Sequence, residues 1–130
     1  GVTAVIVPRD RAAGLTPSAL IAAAVAAETV PLIAVTNLAR AMDDLRDVDV
    51  RMVGAAGEAK QSLYELDLTG PLAWALGAED SGLRRLTRER CDVLAHIPLA
   101  GHVESLNVSV ATGICLFESK RQRSMSRTGA

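Results

Sequence analysis

Two short stretches carry residue types that chemistry needs, and each adjoins what reads as a strand or helix end. The first, Gly77-Ala78-Glu79-Asp80-Ser81-Gly82, has the form G-x-E-x-x-G. Glycine at a strand end lets backbone amides approach a ligand closely. A carboxylate beside a helix N-terminus is stabilised as an anion, which suits Glu79 to orient a hydroxyl, an amine or a nearby arginine. The same stretch also reads as a tight turn with a capping acid, and it matches neither the dinucleotide fingerprint nor the P-loop. The second stretch, Ser105-Leu106-Asn107-Val108-Ser109, alternates polar and apolar residues across a loop-to-helix junction. One helix cap needs one side chain, and three clustered polar groups exceed that need. Ser105 lacks a G-x-S-x-G elbow, so nucleophilic serine chemistry is not expected.

Cys91, His96, His102 and Cys115 form the set C-x4-H-x5-H-x12-C. It contains no tight two-residue chelate, and Cys115 falls on an apolar helix face, so buried structural thiols are the expected reading rather than a zinc site. Two cysteines make no disulfide framework.

The elements that must position these groups alternate strand and helix. Ala4–Pro8 is a continuous apolar run, as in a strand buried on both faces. Thr16-Pro17 opens a helix as N-cap and first residue, with Leu20, Ala23, Ala24 and Ala27 on its packing face and Pro31 at its end. Leu32–Thr36 is a second strand. Asn37 caps a helix with the stripe Leu38, Ala41, Met42 and Leu45, leaving Arg40, Asp43, Asp44, Arg46 and Asp47 on a solvated face. Arg51–Ala56 is the third strand, Gln61–Thr69 an irregular connection, and Pro71–Leu76 the fourth strand. Ser81 or Asp80 caps a short helix from Leu83 to about Arg90. His96–Leu99 is the fifth strand. A closing helix runs from Leu106 to about Arg121, with Leu106, Val110, Ala111, Ile114 and Phe117 on one side, and Ser124–Ala130 is a frayed polar tail. The alternation specifies an α/β fold with a mainly parallel sheet and right-handed crossovers. Ligands in such sheets bind beyond the carboxyl ends of the strands. Three of those ends stand out: Ala55-Ala56-Gly57-Glu58, the Gly77–Gly82 stretch, and Ile97-Pro98-Leu99-Ala100-Gly101.

Composition narrows the function. The chain has 130 residues, enough for one core. Fourteen Lys and Arg against fifteen Asp and Glu exclude a uniformly basic nucleic-acid coat while leaving room for a local patch. Aromatics at 2% argue against stacking single-stranded bases on aromatic platforms. The longest apolar run, Leu20–Ala27, is about a third of a bilayer span, and no signal segment opens the chain; a membrane role and export are not expected. Gly1 leads almost directly into the first strand, which raises the expectation that an upstream part belongs to the native protein.

The ordered set GAEDSGLRRLT from Gly77, IPLAG from Ile97 and SLNVSVATGI from Ser105 resembles motifs 2 and 3 of the SpoU (TrmH-like) branch of the SPOUT RNA methyltransferases. VPLIAVTNLAR from Val30, GAAGEA from Gly54 and CLFE from Cys115 bring the likeness closer to the bacterial enzymes that methylate a guanosine ribose 2′-hydroxyl in 23S rRNA. The resemblance covers Ala4 to Arg123. It implies a SPOUT fold with a deep C-terminal trefoil (α/β) knot, in which the closing helix threads under the Gly77–Gly82 connection. It also implies S-adenosyl-L-methionine as cofactor. Gly77, Ile97 and Leu106 would contact the cofactor largely through backbone groups, with Ala56, Gly57, Pro98 and Gly101 nearby. Glu79, Ser105 and Asn107 match polar positions that shape the catalytic pocket. The implied reaction is attack of a ribose 2′-oxygen on the cofactor's methyl; the sulfonium is the activated leaving group, so no metal is needed.

In the family, a motif 1 Asn and Arg assist loss of the 2′-oxygen's proton on a strand–helix unit that would lie before Gly1. On this reading residues 1–123 are a catalytic domain lacking that first β–α unit, and residues 124–130 a flexible tail. Asp80-Ser81 replace the family's Gly-Glu within motif 2. Arg84, Arg85 and Arg88 fit phosphate contacts to rRNA, or equally a solubilising helix face. The resemblance further implies a cytoplasmic protein acting on RNA rather than DNA, and a homodimer through the knot-region helices. Two other functions remain open: a cofactor-binding and dimerisation module without transfer activity, and a tRNA ribose 2′-O-methyltransferase.

Overall fold

Short runs of β-branched and small apolar residues set the strands, and parallel pairing sets their ends. The structure, a computed structural model, describes residues 4–8, 32–77, 83, 85–99 and 108–128. In chain order its elements are β1 (Val5–Pro8), β2 (Leu32–Val35), α1 (Leu38–Asp47), β3 (Arg51–Ala55), a 3-10 turn (Leu63–Glu65), β4 (Leu72–Ala75), α2 (Arg85–Glu89), β5 (Val93–Ala95) and α3 (Val108–Thr128). The helix expected from Thr16 lies outside the described residues.

All the described strand pairs are parallel, as the alternation requires. β1 pairs with β2 from Val5↔Leu32 to Pro8↔Val35. A second sheet has the order β4-β3-β5, with Gly54 opposite Ala75 on one side and Leu94 on the other. Side chains alternate across a strand, so β3 serves two layers. Its Val53 face joins a core of Leu63, Leu66, Leu68, Ala95 and Cys115, against which Trp74, Val93 and Ile114 pack. Its Gly54 face meets Leu83, Cys91 and Leu94, on the side of α1 and α2, which touch each other.

Local chemistry explains α1. Asn37 has extended φ/ψ and its side chain accepts from the Arg40 N–H at 3.1 Å, the expected N-cap bond. Met42 is buried, as the apolar stripe requires. Part of the charged face is not simply solvated: Asp43 pairs with Arg90 at 3.3 Å and Arg46 with Asp92 at 3.2 Å. Asp92 also ties the amino ends of β3 and β5 together. Its Oδ2 accepts from Met52 N–H at 2.7 Å, and its own N–H donates to the Met52 carbonyl at 2.8 Å. Asp92→Ala is expected to lower the unfolding free energy by about 1–2 kcal/mol, because a charged acceptor on a buried strand amide is lost. Urea titration checks this, and an unchanged midpoint would show that the contact adds nothing.

Three expectations are corrected. The fifth strand lies at Val93–Ala95 rather than His96–Leu99. Pairing with Val53–Ala55 fixes it, and His96 makes only an isolated bridge to Ser62. The closing helix continues to Thr128, through the first part of the expected tail. Its buried residues are Cys115, Glu118 and Ser119, whereas Val110 is 46% and Phe117 68% exposed. The core-facing stripe is polar at its C-terminal end and holds the 66–70 segment by hydrogen bonds. Gln122 donates to the Leu66 carbonyl at 3.0 Å and accepts from Leu68 N–H at 2.8 Å. Ser119 accepts from the Trp74 indole at 2.9 Å, and Arg123 donates to the Gly70 carbonyl at 2.9 Å.

The Gln61–Thr69 connection is thereby a core element. Ser62 and Glu65 form a capping box that starts the 3-10 turn; Leu63 within it and Leu66 and Leu68 beyond it are buried.

Candidate functional site

Because β3, β4 and β5 run parallel, their carboxyl ends share one edge of the sheet. That edge brings together Ala56 and Gly57 after β3, Gly77 after β4, and Ile97 and Pro98 after β5. Ala56 is buried and donates its N–H to the Ala95 carbonyl at 2.9 Å, extending the β3–β5 ladder by one residue. Ile97 packs against the core at the same edge. A Cβ added to Gly57 would meet nothing within 4 Å, so the backbone there is open to an approaching ligand. The chain makes the strands in the order β3, β4, β5 but places β3 between the other two. The connections leaving β3 and β4 therefore run in opposite directions along the sheet, the arrangement that opens a ligand crevice in parallel sheets.

Five of the expected cofactor-contacting residues, Ala56, Gly57, Gly77, Ile97 and Pro98, thus lie on this edge. Gly101 and Leu106 lie outside the described residues, as do Glu79, Ser105, Asn107 and Arg84. An edge built from alanine, glycine, one isoleucine and one proline suits a flat heterocycle held by strand-end amides and carbonyls with an aliphatic wall. That is the fit an adenosyl group needs in a chain so poor in aromatic residues.

The arginines of and just after α2 are engaged in ion pairs. Arg88 Nη2 pairs with Glu58 Oε1, Arg85 with Glu89 at 3.7 Å, and Arg90 with Asp43 while donating to the Leu86 carbonyl at 3.1 Å. Glu58 was within a strand end singled out from sequence, but its partner is not adjacent in the chain. His96 has a similar local role, with Nδ1 lying 2.9 Å from the Ala59 carbonyl.

The cysteines lie on opposite faces of the β4-β3-β5 sheet. Cys115 is fully buried in the Val53 layer, and burial pushes its thiol up to about 12. Cys91 sits on the Gly54 side, donates to the Thr87 carbonyl at 3.4 Å, and has its pKa raised by burial and then by Asp92. Both geometry and protonation suit structural thiols; His102 lies outside the described residues. On α3 the Arg121 guanidinium grips Glu118 at 2.7 and 2.8 Å. Those bonds, with Gln122, hold the Glu118 carboxyl below its ordinary pKa even though the side chain is buried.

Two open depressions lie away from the carboxyl ends of the strands. One, of about 510 Å³, is lined by Asp43, Arg46 and Asp92 near the amino end of β3. The other, of about 590 Å³, lies on α3 beside Tyr64, Val110, Gly113 and Phe117.

The sequence pattern of the SpoU rRNA methylase family matches residues 1–117. The chain belongs to the SpoU rRNA methylase family. Among its relatives, the 23S rRNA (guanosine-2′-O-)-methyltransferase RlmB of Pseudomonas putida is 58% identical over 127 residues, covering 98% of this chain and 51% of that protein. The chain spans about half the length of the curated relatives it matches. A TrmH/SpoU tRNA modifying enzyme of A. aeolicus superposes with a TM-score of 0.81 at 27% identity, covering 97% of this chain and 64% of that one. The SpoU methyltransferase AviRb of Streptomyces viridochromogenes, in complex with the cofactor AdoMet, superposes with a TM-score of 0.78 at 27% identity, over 92% of this chain and 49% of that one.

Proposed function

We propose that the full-length protein carrying this chain is an S-adenosylmethionine-dependent methyltransferase acting on a guanosine ribose 2′-hydroxyl of 23S rRNA. The observation that carries the reading is the meeting of Ala56, Gly57, Gly77, Ile97 and Pro98 on one carboxyl edge, in a chain 58% identical to an enzyme of that name. Bound there, the cofactor supplies an electrophilic methyl on a good leaving group. The chain's own part is to hold the adenosyl moiety by backbone groups around Gly77 and Ile97, with Gly101 and Leu106 completing the pocket. Glu79, Ser105 and Asn107 line the side where the ribose enters and orient its hydroxyl, and positioning of that kind supplies much of such a rate enhancement. The proposed topology is a trefoil knot, with α3 threading beneath the 77–82 connection, in a domain spanning residues 1–123.

The homodimer proposed with this function would bury the exposed Val110 and Phe117 beside the α3 depression. No helix among the described residues is long and apolar enough to cross a membrane. The proposed rRNA substrate supports a cytoplasmic site of action. The test is transfer of labelled methyl from S-adenosylmethionine to 23S rRNA by the full-length protein. Asn107→Ala is expected to lower the rate at least about tenfold with little loss of stability. Equal rates for variant and parent would remove Asn107 from the site, and label on tRNA instead of 23S rRNA would favour the tRNA reading.

A further inference from the structure

The turn that follows β3 is held from both sides. Ala59 N–H donates to the Ala56 carbonyl at 3.1 Å, closing the chain around Gly57 and Glu58. Glu58 is then ion-paired to Arg88 of α2. The Ala59 carbonyl is met by His96 Nδ1 at the end of β5, at 2.9 Å; facing a carbonyl, that nitrogen carries the proton. Packing does little to fix the turn itself, since Gly57 is exposed and a Cβ there would meet nothing. Ala56 is tied to β5 directly, through its N–H on the Ala95 carbonyl, so it is the exposed Gly57–Glu58 part of the turn that Arg88 holds on one side and His96 on the other. The Arg88 and Glu58 side chains are 42% and 56% exposed, so their pairing contributes little to folding. Its consequence is geometric, at the edge where the cofactor is proposed to bind.

We propose that Arg88 is a positioning residue for cofactor binding: through Glu58 it holds the Gly57–Glu58 backbone in the orientation beside the β5 end that S-adenosylmethionine requires. The inference rests on the cofactor site proposed above. It gives Arg88 a role distinct from the phosphate contact expected of it, because the group a phosphate would engage is already held by a carboxylate. Small displacements of groups that position a ligand carry large penalties, so an exposed pair of slight stability can still govern affinity.

The experiment is calorimetric titration of S-adenosylmethionine into the full-length protein without RNA. The variants are Arg88→Gln, Glu58→Gln, Arg88→Glu and the exchanged pair Arg88→Glu with Glu58→Arg. Arg88→Gln and Glu58→Gln are each expected to weaken binding about tenfold at an unchanged thermal midpoint, and the exchanged pair to bind better than Arg88→Glu alone. Parent-like affinity in either Gln variant overturns the inference, as does an exchanged pair no better than Arg88→Glu. Loss of rRNA affinity in Arg88→Gln with cofactor affinity intact also overturns it and makes Arg88 a phosphate contact. A folded parent that binds no S-adenosylmethionine overturns the cofactor site itself, a result distinct from a parent and variants that bind equally.

Discussion

Gly54→Ala is expected to lower the unfolding free energy by about 1–3 kcal/mol, the usual cost of overpacking a filled interior. A Cβ on Gly54 would stand 2.7 Å from Cys91 Sγ, 2.7 Å from Leu94 Cδ2 and 2.9 Å from Leu83 Cδ1. Ordinary carbon contacts are about 3.5–4.0 Å, so all three neighbours must retreat together. Gly54 is in the central strand of its sheet, paired with Ala75 and Leu94, and has little freedom to move away. Cys91→Ala removes one of the crowding atoms. In the Gly54→Ala background it should therefore cost less than it does alone, and a double-mutant cycle by denaturant unfolding measures that difference. Strict additivity would mean that the contact with Cys91 does not decide the glycine.

Leu68→Ala is expected to cost more, about 2–5 kcal/mol, because a fully buried leucine leaves both its transfer energy and a cavity. Leu68 has no exposed surface, and its N–H is tied to Gln122 at 2.8 Å, which limits local collapse into the space. Leu86, 53% exposed on α2, provides the comparison: Leu86→Ala should stay within about 0.5 kcal/mol of the parent. Similar losses for both variants would contradict the placement of the 63–68 segment in the core.

Leu68 also illustrates what a one-dimensional reading misses. The three leucines of the 61–69 stretch are spaced by three and then by two residues, which sustains neither a helical nor a strand period, so periodicity reads it as an irregular connection. The pattern Ser62-x-x-Glu65 was a local clue to the capped turn that opens it. In α3, weighting apolar residues selected Val110, Ala111, Ile114 and Phe117. Ile114 does pack on the core, but Val110 and Phe117 face outward, and the helix turns Cys115, Glu118, Ser119 and Gln122 inward, where the polar members find hydrogen-bond partners on β4 and the 66–70 segment. The run from Val93 to Leu99 is apolar nearly throughout and does not mark its own pairing limits; β3 sets them at Val93–Ala95.

Other features were legible because their causes are local. Asn37 caps α1, and Leu38, Ala41, Met42 and Leu45 follow with helical period. The strand-end residues of the site were legible for a topological reason: once alternation fixes a parallel sheet, Ala56, Gly57, Gly77 and Ile97 must share its carboxyl edge. The partners of Arg88, Arg90 and Arg46 were not, because Glu58, Asp43 and Asp92 lie far from them in sequence and only the fold brings each pair together.

Calorimetric titration of S-adenosylmethionine into the folded full-length protein, beside a Gly77→Phe variant, tests the carboxyl-edge site most directly. The parent should bind with saturable heat at one site per chain, and Gly77→Phe should lose that binding while unfolding at a similar denaturant midpoint. A folded parent that gives no binding heat, confirmed by equilibrium dialysis, or a Gly77→Phe variant that binds as tightly as the parent, would contradict the assignment.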